Sequence, residues 1–233
     1  MKTILFKVFS LLLLFLCNAH FIGQTTIVVD NQFKEKAIGK HLLFIDDANL
    51  LFYPESAYQE LKKGNDTFSV HKEIPQFGFQ NSTKWVLFTI QNTTTKVKKL
   101  VIEISHPSIN ILHLYSKNKK DSSLQFIGIS GDTIPFKDRS WQHRYPLFEI
   151  QVEPNESIDY LLHFYKNGAV SLPITLYESS HFFKVDGLSN LVFGIYCGGI
   201  ILIIIVSLLM GIFNKKLIYL LYGLYTASLL FQV

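Results

Sequence analysis

The sequence predicts an all-β extracellular domain, an antiparallel jelly-roll-like β-sandwich, followed by α-helical transmembrane segments. Three observations predict it. The 233 residues are 48% hydrophobic, and the apolar excess sits at the two ends of the chain. Between them, over residues 25–186, runs rich in β-branched and aromatic residues recur at about 10- to 15-residue spacing, which is sandwich spacing. Two apolar runs, 188–213 and 217–233, then close the chain, split only by Asn214, Lys215 and Lys216.

Residues 1–23 read as a signal peptide. Lys2 and Lys7 precede an apolar core over 8–17, too short to span a membrane, and small or polar residues follow. Cleavage is expected after Ala19 or near Gly23; an uncleaved anchor is the alternative, and either way the next segment is exported. Strands are expected at TIVVD (26–30), KWVLFTIQN (84–92), KKLVIEIS (98–105), INILHLYS (109–116), LQFIGIS (124–130), PLFEIQV (146–152), SIDYLLHFY (157–165) and SLPITLYES (171–179). In KKLVIEIS, Leu100, Ile102 and Ile104 fall on one face and Val101, Glu103 and Ser105 on the other. SAYQELKKG is the one helical stretch, one or two turns stopped by Gly64. A domain of this size buries enough surface to fold without disulfides, and its span contains neither Cys17 nor Cys197.

The run over 188–213 has no Asp, Glu, Lys or Arg and is long enough to cross a bilayer. Gly194, Gly198 and Gly199 in it offer places for another helix to approach closely. Lys215 and Lys216 in the short 214–216 loop mark a cytoplasmic side, so the second run returns outward. The chain breaks off inside an apolar run, as the first part of a longer product would. The expected location is the inner membrane, multi-pass, with the β domain in the periplasm.

No hydrolase, nucleotide-binding or metal motif is present, and no catalytic residue, cofactor or metal is expected. The net charge of +4 is spread in short basic runs such as KVKK and KNKK, which read as solvated turns and not as a nucleic-acid surface. His113 and His163 fall in strand patterns and read as packed or surface histidines. The Asn-x-Ser/Thr triplets at Asn65, Asn81 and Asn92 predict exposed turns. The one crowded stretch is GISGDTIPFKDRSWQHRYPLFEI, 128–150, where Asp132, Arg139, Trp141, His143 and Arg144 gather between two strands. Long loops carry function, guanidinium groups grip carboxylates or phosphates, and an aromatic ring stacks on a sugar. The structural alternative is a loop pinned to the core by Pro135 and Phe136, with Arg139 or Arg144 paired to an Asp.

WVLFTIQN from Trp85, LVIEISHPSINILHLY from Leu100, GDTIPFKDRSWQHRYPLFEI from Gly131, GAVSLPITLYES from Gly168, FGIYCGG from Phe193 and YLLYGLYTASLLF from Tyr219 occur in this order. In that order they resemble the bacterial seven-transmembrane receptors with diverse intracellular signalling modules, with the second extracellular domain type. The resemblance covers about residues 38–233. It implies a jelly-roll sensor domain that binds carbohydrate or related small molecules. It also implies seven membrane helices and a cytoplasmic output module such as a histidine kinase or diguanylate cyclase. One departure stands out: the family often carries W-x-R-F, whereas Val86, Leu87 and Phe88 follow Trp85 here. Expected partners are a small-molecule or carbohydrate ligand, membrane lipids and a second copy of the chain. A membrane-anchored binding or adhesion module, and an exported carbohydrate-active enzyme, are the rival readings.

Overall fold

The computed structural model describes residues 26–64, 66–118, 121 and 123–230. The expected signal peptide and the last three residues of the second apolar run lie outside these. The chain forms two compact units that part between Glu178 and Ser179.

The first unit holds eleven strands among the described residues: β1 (Ile27–Val29), β2 (Glu35–Ala37), β3 (Leu43–Asp46), β4 (Phe68–Ser69), β5 (Gln76–Asn92), β6 (Lys98–Ile104), β7 (Ile111–Asn118), β8 (Gln125–Ser130), β9 (Leu147–Val152), β10 (Ser157–Ser171) and β11 (Ile174–Glu178). The larger sheet runs β4-β3-β5-β10-β7-β8, with β1 also on β5, and the smaller runs β2-β11-β6-β9. Every described ladder is antiparallel except β1 on β5.

Period-two alternation turns one face of each sheet inward. Val86, Phe88 and Ile90 of β5 and Ile158, Leu162 and Phe164 of β10 meet Leu100, Ile102 and Ile104 of β6 and Phe148 and Ile150 of β9 in one buried layer. Burying one such side chain contributes about 1.5–3 kcal/mol, whereas an exposed ion pair contributes about 0–1 kcal/mol. The apolar layer therefore holds the sheets together.

The outer face of the larger sheet carries a second cluster. Leu43, Ile45, Trp85, Leu87 and Leu161 pack under Ala57 and Leu61 of helix α1 (Pro54–Lys63). Ala57 and Leu61, one helical turn apart, share a face. Pro54 opens the helix where its missing N–H costs nothing, and Gly64 closes it at φ 77°.

Sequence and structure differ at several places, among them the end of β10, which runs to Ser171, six residues past the expected end. β5 begins at Gln76, eight residues before the expected start. β2, β3 and β4 have two to four residues each, too few to show a period. Asn92 is fully buried. Its amide donates to the carbonyls of Lys96 (2.8 Å), Val152 (2.9 Å) and Glu153 (3.1 Å), and its oxygen accepts from the Thr94 N–H (2.9 Å). A turn-forming residue is here a clip, because a side-chain amide satisfies backbone groups where the ladder ends. Asn81 lies inside β5, and Asn65 lies outside the described residues.

The second unit is α2 (Ser179–Asn214) and α3 (Leu217–Leu230). At a rise of 1.5 Å per residue, the 36 residues of α2 span about 54 Å, against a hydrocarbon core of about 30 Å. Among the described residues α2 alone is long and apolar enough to cross a membrane. Residues 181–187 are helical and belong to it. The two helices are in close contact at two glycines. A Cβ on Gly211 would meet the Leu220 side chain at 2.6 Å, and one on Gly223 the Ser207 Cβ at 3.4 Å, whereas Gly194, Gly198 and Gly199 face no atom within 4 Å.

Candidate functional site

β8 and β9 are edge strands of different sheets, so the loop between them, 131–146, must cross the open side of the sandwich. Its start is fixed. Gly131 has φ 134°, and a Cβ there would collide with the Asn110 carbonyl. The Asp132 N–H donates to the Ile109 carbonyl (2.8 Å), and the Asn110 amide donates to the Asp132 carboxylate (3.1 Å). Ser140 prolongs the edge of β8: its hydroxyl accepts from the Ile129 N–H (2.8 Å) and its own N–H donates to the Ile129 carbonyl (2.9 Å).

Arg139 donates from Nε to the Ile134 carbonyl (3.1 Å) and lies 5.5 Å from the Phe136 ring centre. Phe136 is 52% exposed, so it does not pin the loop to the core; it is the platform for a guanidinium. Arg144 stands 5.5 Å from the Tyr145 ring centre. His143 Nδ1 accepts from the Tyr145 N–H (3.1 Å). Of the five expected contact residues, Trp141 lines a cleft among the described residues. That cleft, of about 320 Å³, is shared with Ile127, Ser140, Phe148 and Glu149. A half-buried indole beside a hydroxyl and an exposed carboxylate suits a ligand with an apolar face and polar edges.

Two clusters escape sequence reading. On the outer face of the larger sheet the register sets Ile45, Trp85, His163 and His113 in one row across four strands. The Trp85 indole N–H donates to Asp47 Oδ2 (3.1 Å). Asp47, nearly buried, also accepts from the N–H groups of Leu51 (2.7 Å) and Phe52 (3.2 Å). The His163 ring lies 4.3 Å from that of Trp85, and its Nδ1 is 3.1 Å from His113 Nδ1. Burial, aided by His113 and opposed by Asp47, pushes His163 down to about 4. Burial also lowers His113. Leu87, at the position where W-x-R-F would carry Arg, is fully buried under α1.

The second cluster is a polar cleft of about 410 Å³ at the lower end of the same face, between α1 and the sheet. Asp159 accepts there from the hydroxyls of Tyr58 (2.8 Å) and Thr89 (2.6 Å) and pairs with Lys62 (2.7 Å). Burial, then Asp159, raises Tyr58 well above the usual phenol range, so it stays protonated and donates.

The model of one family, described as 7TMR-DISM extracellular 2, matches residues 39–178, from just before β3 to the end of β11. The chain belongs to the 7TMR-DISM extracellular 2 family. In that family the sandwich is an extracellular, non-enzymatic sensor domain, and this chain is a membrane protein carrying one. No curated protein matches. Solved structures similar to the chain include the following three. One is the pre-peptidase C-terminal domain of a collagenase from Bacillus anthracis (7% identity, 66% of this chain and 95% of that one, TM-score 0.29). Another is a Cry1Da core variant from Bacillus thuringiensis (8% identity, 66% and 24%, TM-score 0.31). The third is a carbohydrate-binding module from Clostridium stercorarium solved with cellobiose (13% identity, 45% and 81%, TM-score 0.24). Scores this low carry no argument about ligand.

Proposed function

We propose that this 7TMR-DISM extracellular 2 chain is the sensory front of a bacterial envelope receptor. Its sandwich binds a small ligand, a carbohydrate or related molecule by the resemblance of its motifs. It signals through the membrane helices to a cytoplasmic output module carried elsewhere. The protein is multi-pass in the inner membrane with the β domain in the periplasm, the Lys215–Lys216 turn facing the cytoplasm.

The observation that carries this reading is the junction: β11 ends at Glu178 and α2 begins at Ser179, with no residue between. A ligand shifts a two-state equilibrium only by its differential affinity for the two states. A flexible linker would dissipate that shift, and a strand feeding straight into a helix contains none. Ligand contact is assigned to the β8–β9 loop, with Trp141 as stacking face and Ser140 and Glu149 as polar partners. Asp132, Arg139, His143 and Arg144 shape and border it.

The test uses the full chain in nanodiscs, with Cys17→Ser and an environment-sensitive fluorophore on Cys197 in α2. A panel of mono- and oligosaccharides is added. The expected result is a saturable change at Cys197 from a sugar that also raises the thermal midpoint, with affinity at least tenfold weaker in Trp141→Ala. A midpoint shift without any change at Cys197 overturns signalling and leaves an anchored binding module. No response to any sugar overturns the ligand class.

A further inference from the structure

The polar cleft under α1 lies beside the apolar cluster that joins helix and sheet. On the outer face of the larger sheet, the row Leu87–Leu161–Tyr115 packs with the apolar cluster under α1 and carries no charge. The next row, Thr89–Asp159–Lys117, is charged. Lys117 has 15% and Asp159 16% of its side chain exposed. Holding an ammonium and a carboxylate that far from water costs free energy unless each is paired. Each is: Asp159 by Lys62, Tyr58 and Thr89, and Lys117 by Glu55 at 3.3 Å. Both ammonium groups also lie over the Tyr58 ring, Lys62 at 5.7 Å and Lys117 at 5.0 Å from its centre. Both cations thus engage the Tyr58 ring, which is no open platform for a sugar.

We propose that this cleft binds a small zwitterion of the α-amino-acid class. Groups of both signs line it, Lys62 and Lys117 with Asp159 and Asp121, and Glu55 stands beside Lys117. A ligand that carries both signs meets a complementary group at each end, whereas one of a single sign leaves the other set unmatched. An ammonium has three N–H donors, and each lysine gives one to its carboxylate, which leaves donors for a ligand carboxylate. Asp121, whose Oδ2 accepts from the Asn118 N–H at 3.3 Å, keeps acceptor capacity for a ligand ammonium. The volume, about 410 Å³, lies at the small-ligand end of binding sites. In a half-enclosed cleft these fixed charges act more strongly than in open water.

Isothermal titration of the full chain in detergent micelles with the twenty L-amino acids tests this. The controls are the corresponding acids without the amino group and the N-acetylated forms. At least one amino acid should bind saturably, and its controls should not. Lys117→Met should weaken binding at least tenfold. Thr26→Trp, which fills the mouth of the cleft and touches no buried charge, should abolish it while leaving a sugar response at Cys197 intact. The proposal is overturned if no amino acid gives saturable heat, if the deaminated acid binds as tightly, or if binding survives Thr26→Trp.

Discussion

Acidification should destabilise the sandwich through His163, and the size of the effect follows from its surroundings. The His163 and His113 Nδ1 atoms are 3.1 Å apart, a contact that needs one proton between them. Protonating both rings sets two donors face to face. Trp85 covers the far side of His163, and Asp47 is the carboxylate that favours its charged form. The result is a folded-state value of about 4 against about 6.5 unfolded. A histidine lowered in the folded state binds protons more readily when unfolded, so its stabilisation is present at neutral pH. It is lost as pH falls from about 6.5 to 4, costing about 2 kcal/mol by pH 5 and approaching about 3 kcal/mol below pH 4. The measurement is urea unfolding of the full chain in micelles, followed by tryptophan fluorescence, since both tryptophans lie in the sandwich. Wild type and His163→Gln are compared at pH 7 and pH 5. Titrating groups other than His113, which is coupled to His163, are common to both, so the difference reports the pair: wild type should lose about 2 kcal/mol more than the variant. A stability gap between the two proteins that does not change with pH refutes the reasoning and means water reaches the pair.

Asp47→Ala orphans the Leu51 and Phe52 N–H groups and the Trp85 indole N–H at once. With charged hydrogen bonds contributing about 1.5–3 kcal/mol each and not adding fully, the loss should be about 3–5 kcal/mol in the same unfolding assay. Lys84, 1% exposed and held by Asp46 and the Phe77 ring at 5.0 Å, should behave asymmetrically. Lys84→Met should leave stability within about 1 kcal/mol of wild type or raise it, because half-exposed Asp46 rehydrates. Asp46→Ala strands the buried ammonium and should cost about 3 kcal/mol or more. Gly131→Ala meets both a positive φ and the Asn110 carbonyl. It should lower the thermal midpoint by several degrees and loosen the β8–β9 loop to proteolysis, with an overall loss of about 2 kcal/mol.

Much of the fold is legible in the sequence because alternation and turn chemistry are local. Eight expected strands correspond to β1 and to β5 through β11, and α1 ends at the expected glycine. Pairing is not local. Nothing in INILHLYS or SIDYLLHFY says that His113 and His163 stand opposite each other. That depends on the register of β7 on β10, fixed by the whole hydrophobic layer beneath. The same holds for Tyr58, Lys62 and Asp159, which come together only because α1 folds back over the sheet. The crowded loop could be located by composition, yet the role of each residue in it could not. Arg139 donates to a carbonyl and lies over a ring, and Trp141 reaches a cleft because Ser140 stitches the loop to β8.

The two clefts sit in different mechanical settings, and that bears on which ligand would be sensed. The Trp141 cleft is built on the edge strands of the two sheets, β8 and β9, and β9 is separated from β11 only by β6. On the proposal made above, a ligand there would contact the smaller sheet, to which β11, the strand that precedes α2 in the chain, belongs. The α1 cleft lies on the outer face of the larger sheet, away from β11, and α1 is attached to it through the second apolar cluster. On the proposal made above, occupancy there would act by stiffening α1 on the sheet and so modulate the affinity of a ligand in the Trp141 cleft. By linkage, any such effect is reciprocal: if an amino acid changes the sugar's affinity by some factor, the sugar must change the amino acid's by the same factor. Paired titrations of either ligand, with and without saturating amounts of the other, put that equality to the test. Unequal factors would mean that the two titrations are not reporting the two sites assigned here.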